Sequence, residues 1–174
     1  MRFMEKYGAN VAGFFWNAGT ALQFFFGIVA QSPREIASAL FNVASPCSFL
    51  LFGHTNLGVV SGGVLGFVGT VLAVYPGLVD GEAGTIFGLA VFAVLISLSV
   101  SSAPLTRRFA QSPRAFLRHT LGRQRRVSGL GSFFFTRMPI IYENIVHGRW
   151  KLAVVFALWA LGDFAFSFSR ARMS

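Results

Sequence analysis

Residues 57–78 read LGVVSGGVLGFVGTVLAVYPGL, a run without one charged side chain. About twenty apolar residues are what an α-helix needs to cross the roughly 30 Å hydrocarbon core of a bilayer. Lipid offers backbone amides no partner, so such a run is confined to a helix, whose hydrogen bonds are internal. Similar runs at Ala9 to Ala30, Ile36 to Gly53, Gly84 to Ser102, Val127 to Val146 and Leu152 to Phe168 join Leu57 to Leu78 and predict six spans. The fold class expected is all-α, a polytopic membrane helix bundle forming a single integral membrane domain over residues 1–174. A chain that is 54% hydrophobic and 12% charged lies outside the usual soluble range. The short alternating segments of an outer-membrane barrel are missing. The opening MRFMEKYGANVAGFFWNAG has the basic flank of a signal peptide. Its apolar run is too long, holds Asn17 and Gln23, and lacks a small-x-small cleavage site, so a retained first span is expected.

Charge sets the expected orientation, because cytoplasmic loops retain Lys and Arg. On six spans, Arg2, Lys6, seven arginines between 107 and 126, Arg170 and Arg172 fall on one side, and Arg34, Arg149 and Lys151 on the other. Both termini are thus placed in the cytoplasm, in a multi-pass protein of the cell inner (cytoplasmic) membrane. The fifth span is the odd one, carrying Arg137, Pro139 and Glu143. Without it Arg170 and Arg172 would change sides and the bias would weaken, so it is kept. The basic loop 103–126 has little aromatic surface for stacking bases and sits between two spans. Anionic lipid is its expected partner, and nucleic acid is disfavoured.

AQSPR occurs at 30–34 and again at 110–114. Sliding the chain by 93 positions sets FNVASPCSFLLFGH against FFTRMPIIYENIVH, pairing Pro46 with Pro139 and His54 with His147. Two three-helix units, 1–80 and 81–174, are therefore expected, and an odd number of spans per unit makes them an inverted repeat. The stretches AQSPREIASALFNVASPCSFLLFGHTNLG, AQSPRAFLRHTLG and PIIYENIVHGRWKLA give the chain an architecture that resembles the small bacterial inner-membrane proteins of the PQ-loop and SWEET-like type. The resemblance implies a small transporter. The chain has no Pro-Gln dipeptide and no linker span between its halves, and no family residue is carried over.

Gly58, Gly62 and Gly66 stand at steps of four in the third span, a spacing that lets two helix backbones approach closely, within the chain or on a second copy. Ionisable side chains within spans are costly and face a cavity or a partner. Arg137 and Glu143 are six residues apart, roughly 120° around a helix, too far to pair well with each other. Asp163 in the sixth span is therefore the expected partner of Arg137. The pair is either a structural tie between spans five and six or part of a substrate or ion site with Glu143, in which a carboxyl exchanges a proton. Gln23, Asn17 and Asn42 are expected to bridge helices, and His54 and His147 to lie at turns. Cys47, the single cysteine, has no metal-spaced neighbour and reads as packing. No nucleophile elbow, zinc-protease motif or phosphate loop occurs, so neither an enzyme nor a cofactor or metal is predicted. The leading expectation is a small transporter or permease-like protein moving a small solute or ion, with helix breaks at Pro46 and Pro139 as hinges. A homodimer is the expected assembly of such a transporter; the alternative is a non-transporting subunit that assembles with or regulates a larger membrane complex through the glycine face and basic loop.

Overall fold

The computed structural model describes residues 2–52, 56–109 and 129–168. All secondary structure among them is helical: α1 (Arg2–Val29), α2 (Pro33–Phe52), α3 (Asn56–Val79), α4 (Ala83–Phe109), a π-helical turn (Ser132–Arg137) that runs directly into α5 (Met138–Val146), and α6 (Trp150–Ser167). Three of these are long and apolar enough to cross a membrane, over Asn10–Val29, Val60–Val79 and Trp150–Ser167, and a shorter apolar stretch covers Ala83–Ser97. Most of the basic loop, His54, and the second AQSPR lie outside the described residues.

Each helix packs on its neighbours in sequence, and α6 closes against α1, so the helices form a ring. The ring is built from three hairpins whose turns share one hydrogen-bond pattern. The N–H groups of Ser32, Glu82 and Arg149 reach back to the carbonyls of Gly27, Gly77 and Asn144, at 2.9, 2.9 and 2.7 Å. Those of Gln31, Gly81 and Gly148 reach Ile28, Leu78 and Ile145. This is the Schellman arrangement, which satisfies the last carbonyls of a helix through one left-handed residue. Gln31 (φ 50°), Gly81 (φ 71°) and Gly148 (φ 70°) supply it. Gln31 is the one left-handed residue of the three with a Cβ, and here AQSPRE finds its local meaning. Ser32 caps α2 by accepting from the Glu35 N–H at 3.4 Å, and Pro33 takes the first helical position, where a missing N–H costs nothing.

The same steps of 50 and 67 residues that relate the turns also relate the contacts between hairpins. The Ser38 hydroxyl donates to the Gly69 carbonyl at 2.5 Å. A Cβ on Gly88 would stand 2.7 Å from the Thr136 carbonyl, and one on Gly19 would stand 3.2 Å from the Val155 carbonyl. Ser38, Gly88 and Val155 are counterparts, as are Gly69, Thr136 and Gly19. The described hairpins thus share one backbone pattern at their turns and at their crossings.

The ring is apolar on its outside and encloses polar as well as apolar side chains. Phe14, Phe25, Leu40, Val64, Phe87, Tyr142 and Val154 are among the large apolar side chains exposed on all six helices, and exposed apolar surface of this kind marks contact with lipid or a partner. Buried residues include Thr20, Gln23, Ser38, Thr70, Arg137 and Asp163 beside an apolar centre of Ala73, Val74, Leu89, Ile140, Val155, Phe156 and Trp159. Gln23 donates to Ser38 at 2.7 Å and accepts from Asn42 at 3.4 Å, tying α1 to α2. Asn17 is exposed and Cys47 is exposed, because both fall on the outward face of their helices. Gly62 accepts a 2.7 Å hydrogen bond from Ser45 of α2, and a Cβ on Gly66 would meet that hydroxyl at 3.1 Å. Both glycines thus serve a contact within the chain. Gly58 lies at the start of α3.

Candidate functional site

Pro139 explains the shape of the segment before it. Proline has no N–H, and its ring conflicts with the carbonyl four residues back. The helix meets it through a wide turn in which the Met138 N–H bonds to the Phe133 carbonyl, five residues earlier. In a regular α-helix, residues five apart sit about 140° apart. The i to i+5 bonding widens the turn and brings them closer together around the axis. Ser132 and Arg137 therefore face the same acceptor.

That acceptor is Asp163 on α6. Arg137 Nε donates to Asp163 Oδ2 at 3.0 Å and the Ser132 hydroxyl donates to the same oxygen at 2.6 Å. Trp16 Nε1 of α1 donates to Oδ1 at 3.0 Å. The charged side chains of Arg137 and Asp163 are 9% and 10% exposed, so this is a buried ion pair joining α1, α6 and the wide turn. Gly162 lets it form, since a Cβ there would overlap the Trp16 indole. The Arg137 guanidinium is walled by rings: its Cζ lies 5.2 Å from the Phe92 centroid, 5.6 Å from Phe156 and 5.2 Å from Trp159. Trp159 is fixed in turn by its N–H to the Thr20 hydroxyl at 3.3 Å. Arg137 Nη1 is buried and has no hydrogen-bond acceptor among the described residues.

The pairing of Arg137 with Asp163 follows from the need of a buried charge for an opposite one. Glu143 is not part of it. Six residues along the helix, a rise of about 9 Å, carry it to the turn end of the ring, into a second cluster. There Glu143 Oε1 accepts from the Gly84 N–H at 2.8 Å, fixing hairpin three to the start of α4. His147 Nδ1 stands 3.2 Å from Glu82 and 3.7 Å from the Glu143 carboxylate. Arg149 bonds Glu82 through Nη2, lies 3.8 Å from Asp80, and donates to Asn144 at 3.0 Å. Glu82, Glu143 and His147 offer ligand atoms within 4.8 Å of one another, the donor types of a metal site. The Arg149 guanidinium already holds the Glu82 oxygen nearest His147, and the arrangement is an ion-pair network that clasps two turns.

Desolvation pushes the Glu82 carboxyl upward. Hydrogen bonds from Arg149 and Thr85, with the charges of Arg149 and His147, outweigh it and hold the group below its usual value of 4.5. A depressed carboxylate stabilises the fold above the unfolded-state pKa, and that contribution fades as pH falls through the folded one. The wild-type chain in detergent is therefore expected to lose thermal stability as pH drops below about 4.5. Glu82→Gln is expected to start about 1.5–3 kcal/mol lower at pH 7, the range for hydrogen bonds to charged groups, and to show a flatter acid limb. Equal acid limbs for the two proteins would remove Glu82 from the account.

Pro46 lies inside α2 and Pro139 at the first turn of α5, where the wide turn has already absorbed its effect. Trp16, Ser132 and the three ring walls are members of the site that the sequence does not announce. Comparisons with protein-family models, with curated proteins and with solved structures at large find no match.

Proposed function

We propose that the chain is a six-span protein of the inner membrane, with both termini in the cytoplasm, that moves a small solute or ion as a compact transporter or permease. The observation that carries this reading is the ion pair of Arg137 and Asp163, enclosed by the helices of a ring whose outside is apolar. A charge pair is costly inside a bilayer and marks a pathway or site more often than it serves stability. The basic loop then meets anionic lipid on the cytoplasmic face, and the three hairpin turns lie outside. The hairpin is the unit of duplication in this proposal. Thr20 and Thr70 mark the first two copies where Arg137 marks the third, so the charge is what sets one copy apart. Rocking of hairpins about the wide turn at Pro139, and about Pro46 in α2, supplies alternating access.

The rival reading, a subunit recruited through the glycine face, draws less support, since Gly62 and Gly66 are engaged by Ser45 of the same chain. Flux into liposomes decides between them. With reconstituted wild-type protein screened against small solutes and ions, Asp163→Asn is expected to abolish uptake while the protein remains inserted and monodisperse. A stoichiometric partner in mild-detergent purification, together with unchanged flux in the variant, would favour the subunit.

A further inference from the structure

Asp163 and three ring faces make a cage whose chemistry is selective. Ring faces carry negative electrostatic potential and attract cations, most strongly when both are removed from water. A buried carboxylate at the wall adds to the selection for a cation. The present occupant is the chain's own Arg137 guanidinium. We infer that the cage is a binding site for a small organic cation, an alkylamine or guanidinium compound, and that Arg137 fills it as an internal stand-in which the ligand displaces. This rests on the transport reading and names its substrate class.

Two features of the geometry separate an exchangeable occupant from a permanent one. Asp163 takes donors from Trp16 and Ser132 besides Arg137, so its carboxylate keeps two hydrogen bonds when the guanidinium leaves. Arg137, for its part, bonds through Nε, while its buried Nη1 has no acceptor among the described residues. The two-pronged grip that makes Arg–carboxylate pairs tight is not in use.

The test uses the full chain in mild detergent with Trp150→Phe, so that emission comes from Trp16 and Trp159 alone of the chain's three tryptophans. Methylguanidinium and tetramethylammonium chlorides are titrated, with sodium chloride at equal ionic strength as the control. Arg137→Ala is expected to give a saturable emission change with a midpoint at least ten-fold below that of the parent. The change is expected to vanish when Asp163→Asn is added. A folded Arg137→Ala protein with no saturable response, or a response that survives Asp163→Asn, overturns the inference. Should Arg137→Ala not fold, Arg137→Gln serves in the same comparison. If neither folds unaided, methylguanidinium present during purification is expected to restore the folded state, and failure to do so counts against the cage. Cation binding without flux would refute transport and leave the cage standing. Asp163-dependent flux of a neutral or anionic solute without cation binding would do the reverse.

Discussion

Asp163→Ala is expected to lower unfolding stability by about 3–5 kcal/mol, the cost of stranding one member of a buried ion pair. Arg137 would be left charged among Phe92, Phe156 and Trp159, with no other ion-pair partner among the described residues. Trp16 Nε1 and the Ser132 hydroxyl would lose their acceptor at the same time. Asp163→Asn should cost less, since an amide oxygen still accepts from one or two of these donors. The double variant Arg137→Leu with Asp163→Leu should recover most of the loss, because removing both charges avoids the desolvation that makes a single deletion so expensive. The remainder would belong to the two neutral donors. Unfolding in mixed micelles followed by tryptophan emission measures all three. A single Asp163→Ala change within about 0.5 kcal/mol of wild type, the range of ordinary surface substitutions, would mean that the pair is not held as described.

The parts of the site differ in how far they can be read from the sequence, and the reason is physical in each case. The apolar runs announce helices because a bilayer permits little else. The partner of Arg137 is legible because the chain holds only six acidic residues, and Asp163 lies within the last apolar run. Glu143 shares that legibility only in part. Its spacing excludes a pair with Arg137, but its bond to the Gly84 N–H depends on where hairpin three meets α4. Ser132 is out of reach of any helical-wheel argument, since it faces Asp163 only because the turn before Pro139 is wide. Trp16 is hidden for another reason: a tryptophan in an apolar run gives no sign that its N–H will find a buried carboxylate.

The hairpin repeat shows how unequal spacing conceals symmetry. Gly19-Thr20 and Gly69-Thr70 match at a step of 50, as do Gly27 and Gly77, while the third copy follows at 67 and carries Thr136-Arg137 and Asn144 in the same places. A constant step of 93 catches Pro46 against Pro139 and passes over all of these. What the copies conserve is backbone geometry at the turns and at the crossings between hairpins. Those features tolerate serine, glycine or valine at one position, and identity searches see little of them.

Gly88→Leu is expected to break the ring at the crossing where the ion pair sits. A Cβ on Gly88 would lie 2.7 Å from the Thr136 carbonyl and 2.9 Å from the Ile140 side chain. The first of these is backbone in the wide turn and cannot rotate aside, so α4 and the turn must separate. Overpacking of a fitted contact typically costs about 1–3 kcal/mol, and the larger side chain of leucine places this case at the upper end. Separation would also draw Phe92, one turn along α4, from the Arg137 guanidinium, so stability and cation binding should fall together. Gly13→Leu is the control. It is the same change on a helical glycine, but a Cβ at Gly13 meets nothing within 4 Å, and the variant should behave as wild type in both measurements. Equal losses from the two substitutions would show that the effect belongs to glycine in a helix and not to the crossing, and the ring contact at Gly88 would then carry no special weight.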